Sequence, residues 1–247
     1  VRKLVAALAC RAGGSRLYGK PLQNLDVKRR LTVLEYIVEC LQTEPCIAET
    51  VLGVAHGPAN EPFHAIASRY GIKSIRGDEI DVLMRLIQCA DTADATDVFR
   101  TTTESPFTYF EPIADTWRRH VERGNDVTQL GGLPDGAGFE LIRVDVLRRC
   151  HELGGARHRS ELCTLYVREH QDDFQVDVIE APLPLQRLDL RLTIDYPEDL
   201  VLCRRIYEHF KHLAPRIPLV PIVEFMDSNP ELTALVKPYV VGERWYR

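Results

Sequence analysis

The sequence contains no run of about 20 apolar residues, the length a helix needs to span a bilayer. Its first residues also lack a signal-peptide layout, so a soluble, cytoplasmic protein with no membrane association is expected. Basic charge is not in excess: 31 Lys and Arg against 36 Asp and Glu leave a net charge of -5, which argues against a general nucleic-acid binder. No Cys-x-x-Cys pair occurs among the seven cysteines (Cys10, Cys40, Cys46, Cys89, Cys150, Cys163, Cys203), and no His/Cys grouping has zinc-ligand spacing. Scattered inside apolar segments, they read as reduced core thiols. Internal repeats and low-complexity segments are also missing.

What is present is ordinary globular material: 247 residues, 45% hydrophobic and 27% charged, enough for one large α/β domain. Residues 1–10 form a nearly continuous apolar run, the pattern of a strand covered on both faces. A loop over 11–21 follows, and Thr32 with Glu35 then makes a T-x-x-E capping box opening a helix over 33–41. Strands are predicted at 50–55, 73–76 and 97–102, alternating with helices near 61–70, 81–92 and 111–123. Such alternation predicts a doubly wound, mostly parallel sheet, with ligands bound beyond the carboxyl ends of the strands. After residue 125 the pattern changes. A turn at Pro134-Asp135-Gly136, a strand at 138–144, helices near 144–153 and 159–170, and strands at 175–180 and 189–194 precede a helix over 198–213. The expected organisation is a domain over 1–213, with 125–185 as an inserted arm or lid, and a Pro-rich extension over 214–247 carrying one helix near 220–226.

The first loop invites two readings. Gly14-Ser15-Arg16-Leu17-Tyr18-Gly19-Lys20 fits the first seven positions of a P-loop, but Pro21 offers neither the hydroxyl nor the backbone donor the eighth requires. The dinucleotide fingerprint Gly-x-Gly-x-x-Gly is absent. What remains is a glycine-bearing loop with Arg11, Arg16 and Lys20 spaced to converge on one anion such as a triphosphate. Taken alone, it reads better as a solvated basic loop, and the motifs that follow reverse that reading.

Further along the chain, three motifs occur in order. They are Arg76-Gly77 with Asp81-Val82-Leu83 and Arg85; Arg100-Thr101-Thr102-Thr103-Glu104-Ser105-Pro106; and Leu190-Arg191-Leu192-Thr193-Ile194-Asp195-Tyr196-Pro197-Glu198-Asp199-Leu200. Together with Arg11 to Lys20 they resemble the bacterial cytidylyltransferases, above all the spore-coat polysaccharide protein F group, which is related to the acylneuraminate and Kdo cytidylyltransferases. The resemblance spans about residues 4–210. It implies a Rossmann-like nucleotide-diphospho-sugar transferase fold. The implied reaction is attack of a sugar or sugar-acid oxygen on the α-phosphate of CTP, with release of pyrophosphate. Arg11, Arg16 and Lys20 would act on the triphosphate, with Ala9, Gly13, Gly14, Ser15, Asp81 and Arg100 also near the nucleotide. Glu104 and Asp195 would hold Mg²⁺ or Mn²⁺, and Asp135, Glu140, His158, Arg159 and Glu161 fall in the acceptor region. The family also implies a homodimer built through the middle arm.

Read singly, these residues have plainer roles. Glu104 is equally a helix N-terminal carboxylate, Asp195 an N-cap near Pro197, Asp81 an N-cap, Arg100 a structural ion pair and His158 ordinary surface. Two positions depart from the family pattern. Glu104 stands in place of Asp, and Tyr18 in place of Pro, which either loosens the loop or brings an aromatic ring near the base. Use of GTP in place of CTP, as by a guanylyltransferase, and a non-catalytic nucleotide-binding module are the rival functions.

Overall fold

Strand β1 (Leu4–Cys10) sends Leu4, Ala6, Leu8 and Cys10 into one apolar cluster and Val5 and Ala7 into another. Both faces of the strand are therefore dry, as its unbroken apolar run requires. The structure, a computed structural model, describes residues 1–241. After β1 come a small hairpin, β2 (Asn24–Asp26) with β3 (Leu31–Thr32), then α1 (Val33–Gln42), β4 (Ile47–Ala55), α2 (Glu61–Tyr70), β5 (Lys73–Gly77) and α3 (Val82–Thr92). The chain continues through β6 (Asp97–Arg100), α4 (Ile113–Arg123), β7 (Val127–Gly131), β8 (Glu140–Arg143), α5 (Val144–Leu153), the short α6 (Leu165–Glu169) and β9 (Val176–Glu180). It ends in α7 (Pro197–Phe210), α8 (Leu219–Ser228) and α9 (Pro230–Val236). Among the described residues, no helix is long and apolar enough to cross a membrane.

Seven strands form one sheet in the order β5-β4-β1-β6-β8-β7-β9, with only β8 antiparallel to its neighbours. This is the mostly parallel, Rossmann-like α/β sheet expected. Helices α1, α2, α7 and α8 bury their apolar residues in the cluster on one face, and α3 and α5 do so on the other. The capping box is present at α1: Thr32 Oγ1 accepts from the Glu35 amide at 3.2 Å, and Glu35 Oε2 accepts from the Thr32 amide at 2.8 Å. Such caps contribute about 1 kcal/mol. All seven cysteines are free, six of them buried.

Three expectations change. The 125–185 segment is not set apart as an arm, because β7, β8 and β9 complete the main sheet while the helices between β8 and β9 cover its second face. The expected strand at 189–194 does not join the sheet. It runs extended beside residues 135 and 104, with a single bridge between Asp135 and Arg191. The helix expected over 159–170 is broken into a 3-10 turn, Ala156–Arg159, and the short α6.

Candidate active site

At the carboxyl ends of β1 and β6 lies a cleft of about 840 Å³. Its first wall is the loop after β1, closed by a hydrogen bond from the Gly19 amide to the Ala12 carbonyl at 2.8 Å and pinned by Asn60, which accepts from the Ala12 amide at 2.7 Å. A β-carbon at Gly14 would meet the Leu17 carbonyl oxygen at 2.5 Å, so this tight fold admits only glycine. The loop runs into a 3-10 turn, Lys20–Leu22, with Pro21 near its start, and the long helix α1 begins only after the β2–β3 hairpin. No long helix N-terminus follows the loop as in a P-loop, and the positive charge it offers comes from side chains.

The segment after β6 supplies the second wall and residues 190–196 the third. The Ile194 amide donates to the Glu104 carbonyl at 3.0 Å, which sets the two carboxylate-bearing segments side by side. Lys20 Nζ lies 2.7 Å from Asp195 Oδ1 and 3.9 Å from Glu104 Oε1, and Arg16 donates to the same Asp195 oxygen at 3.1 Å. Two cations of the first loop thus meet a carboxylate that follows them by 175 and 179 residues. Asp195 does not cap α7; that role belongs to Asp199, which accepts from the amides of Asp195 and Tyr196 at 2.8 and 2.9 Å. No helix follows Glu104 directly either.

Beneath this cluster sits Arg191, its side chain only 3% exposed. It donates to Asp135 and Asp195 at 2.5 Å each and to Asp199 at 2.9 Å. Burial works against the charge on Asp195, but Lys20 and Arg191 outweigh it and hold the carboxyl below its usual range. For Asp135 the balance reverses, and burial, abetted by Asp195 and Asp199, pushes its carboxyl up despite Arg191. Gly136, at a φ of +87°, lets the chain pass Thr193 at a distance no β-carbon would permit, and so brings Asp135 to Arg191.

The far end of the cleft is built on Glu140, which is buried. Arg100 donates to it at 2.8 Å and Thr164 at 2.7 Å, with Arg168 at 3.5 Å. Burial raises this carboxyl, but the charges of Arg100 and Arg168 outweigh it and keep the pKa lowered. Arg100 also donates to the Glu161 carbonyl at 2.6 Å.

Of the residues expected at the site, Ala9, Arg11, Gly13, Gly14, Ser15, Arg16, Lys20, Arg100, Glu104, Asp135, Glu140, Glu161 and Asp195 line this one cleft. Asp81, His158 and Arg159 do not. Asp81 caps α3, accepting from the Met84 amide at 2.9 Å, and pairs with His151 at 2.8 Å. His158 is buried between the Gly155 amide and Glu169, and Arg159 donates to the His151 carbonyl at 3.3 Å. Replacing Asp81 by Ala is therefore expected to lower stability by about 1 kcal/mol in urea unfolding while leaving nucleotide affinity within twofold; a large loss of affinity would return Asp81 to the site. Tyr18 is exposed and is not among the residues lining the cleft.

Sequence reasoning missed the weight carried by Arg191, Arg85 and the C-terminal extension. Arg191 was visible in its motif, but a buried arginine between three aspartates has no sequence signal. Arg85 is fully buried and donates to the carbonyls of Cys10 and Gly53 at 3.0 and 2.8 Å, tying α3 to the end of β1. The extension brings Pro238 to Val241 into the cleft wall.

Glu104 and Asp195 have the hard oxygens that Mg²⁺ or Mn²⁺ takes, and Lys20 already places a cation between them. Among the described residues, no three His, Cys, Asp or Glu side chains gather as a metal site. The pair therefore suits a cation whose remaining ligands are substrate phosphates and water.

No family model matches the chain. It is 24% identical over 226 residues to the spore coat polysaccharide biosynthesis protein SpsF of Bacillus subtilis, covering 91% of this chain and 94% of that one. Among solved structures it is similar to a cytidylyltransferase from Leptospira borgpetersenii, with a TM-score of 0.83, 20% identity, and 94% and 97% of the two chains covered. It is also similar to a CMP:2-keto-3-deoxy-manno-octonic acid synthetase complexed with CTP, with a TM-score of 0.64, 15% identity, and 84% and 99% covered. The chain shares the fold of these cytidylyltransferases.

Proposed function

We propose that this chain is a nucleotidyltransferase that activates a sugar or sugar acid with CTP, releasing pyrophosphate, for surface polysaccharide or glycoconjugate synthesis. The observation that carries the reading is the meeting of Arg16 and Lys20 with Asp195 and Glu104 at the carboxyl end of the sheet. The solved relative complexed with CTP and the relative named for spore coat polysaccharide biosynthesis support the choice of base and of product.

In the reaction, an acceptor oxygen bonds to the α-phosphorus as the bond from that phosphorus to the bridging oxygen breaks, and the electron pair leaves with pyrophosphate. Arg11, Arg16 and Lys20 would hold the β- and γ-phosphates and stabilise the charge that grows on the leaving group. For this, Lys20 swings from Asp195 to phosphate, and the carboxylates it leaves become available. Mg²⁺ or Mn²⁺ held there by Glu104 and Asp195 would neutralise the α-phosphate. Arg100, Glu140 and Glu161 at the far end of the cleft would receive the polar acceptor.

The test is calorimetric binding of CTP, GTP, UTP and ATP with and without Mg²⁺. Selective CTP binding is expected, with the Mg²⁺ effect lost in Glu104→Ala and Asp195→Ala. Preference for GTP would keep the mechanism and make the enzyme a guanylyltransferase. Binding with no pyrophosphate release across a panel of sugar acids and sugar phosphates would favour a non-catalytic module, and no triphosphate binding would overturn the reading.

A further inference from the structure

The extension beyond α7 does not stop at packing on the sheet. Helix α9 lies against α7, with Val236 buried in the main core and Leu232 packed on it, and the 3-10 turn Lys237–Tyr239 then carries the chain to the mouth of the cleft. There the Tyr239 ring stacks on that of Tyr196, with centroids 3.8 Å apart and planes 10° from parallel. The Arg16 guanidinium carbon sits 5.1 Å from the centre of the same Tyr196 ring while the guanidinium bonds Asp195. Arg16 has a side chain 47% exposed on a loop, so little else limits where its long side chain points.

We propose that Tyr196 and Tyr239 form a two-ring platform that aims Arg16 into the triphosphate end of the cleft, making Tyr239 of the C-terminal extension a positioning residue for the nucleotide. The inference rests on the nucleotidyl-transfer reading above. The physical reasons are those of a guanidinium over an aromatic face. The ring attracts the cation at its face, the planar group presents its donors at the edge, and the second ring, stacked on the first, holds that ring in place. When phosphate takes over from Asp195, the platform remains and Arg16 does not have to be ordered anew.

The experiment is CTP binding by the full chain carrying Tyr239→Ala, Tyr239→Leu or Tyr239→Phe, each alone and combined with Arg16→Ala, with Lys20→Ala as a control for the site itself. Tyr239→Ala and Tyr239→Leu are expected to raise the Kd about three- to tenfold, and Tyr239→Phe to stay within twofold because it keeps the ring. In the Arg16→Ala background the Tyr239 substitutions should add nothing, since a residue acting only through Arg16 has nothing left to act on. An undiminished effect in that background, or an unchanged Kd in Tyr239→Ala while Lys20→Ala weakens binding, would overturn the platform and leave the nucleotidyl-transfer reading standing. Wild-type chain that binds no triphosphate would overturn both.

Discussion

Lys20→Ala is expected to weaken CTP binding by roughly ten- to 150-fold, the equivalent of a charge-assisted hydrogen bond worth about 1.5–3 kcal/mol. In the structure the ammonium bonds Asp195 and stands near Glu104, with its side chain only 16% exposed. Two consequences of removing it oppose each other. The triphosphate loses its mobile cation, but the two carboxylates lose the charge that now neutralises them, which should increase the pull on a divalent cation. The substitution therefore separates the roles: affinity measured without Mg²⁺ should fall most, and adding Mg²⁺ should restore part of it. Turnover should fall further than binding, because charge on the departing pyrophosphate is greatest in the transition state. Equal binding by wild type and Lys20→Ala, with and without Mg²⁺, would rule out the role assigned to this residue.

Replacing Arg191 by Met is expected to cost about 3–5 kcal/mol of folding stability, because it strands carboxylates whose shared counter-charge is gone. Asp199 is 1% exposed on its side chain, and no solvent can take over from the arginine there. Set against a typical total of about 5–15 kcal/mol, such a loss would leave part of the population unfolded. Urea unfolding measures it directly. Arg191→Lys should fall between, since one ammonium cannot reach Asp135, Asp195 and Asp199 with the geometry of a guanidinium. A second change, Asp199→Asn in the Met background, should recover some stability by removing a stranded charge, although it also weakens the cap on α7. A Met variant within about 1 kcal/mol of wild type would mean that the carboxylates find other partners or protons, and that Arg191 is not what binds the three segments together.

Local signals in the sequence were strong wherever one residue's chemistry acts on its own neighbourhood. The Thr32–Glu35 box, the Asp81 cap, the left-handed glycines after α2 and α4, and the apolar run of β1 all appear where their spacing puts them. Strand β7 was invisible for the same physical reason that it is stable. Its Thr128 is fully buried, but as a partner of His120 and Asn125, so a polar letter stands where an apolar one marks most central strands. The 189–194 segment misled in the opposite sense. Its alternation is real, with Leu190, Leu192 and Ile194 all buried, yet the intervening Arg191 and Thr193 point to the cleft rather than into sheet pairing.

The site was legible as a set of charges but not as an arrangement. Arg11, Arg16, Lys20, Glu104 and Asp195 followed from loop chemistry and ordered motifs, and they share one cleft. His158 and Arg159 followed from the resemblance alone, and the fold spends Arg159 on tying α5 to the turn after it and His158 on tying that turn to α6. Tyr239 could not be read at all, because its meaning comes from a ring more than 40 residues earlier that only tertiary packing brings near.

That packing also fixes when the cleft can exist during synthesis. Lys20 waits for Asp195, and Tyr196 for Tyr239, so the pairings that define the pocket close loops of many tens of residues and are the slow kind to form. Strands β1, β4 and β5 with their helices are contiguous and can collapse as the chain emerges, whereas the phosphate end has no floor until 191 arrives and no wall at its mouth until 238–241 do. A nascent chain stopped short of α9 would hold the whole sheet and most of the cleft but not the wall at 238–241, so nucleotide would meet a weaker site until the last residues arrive.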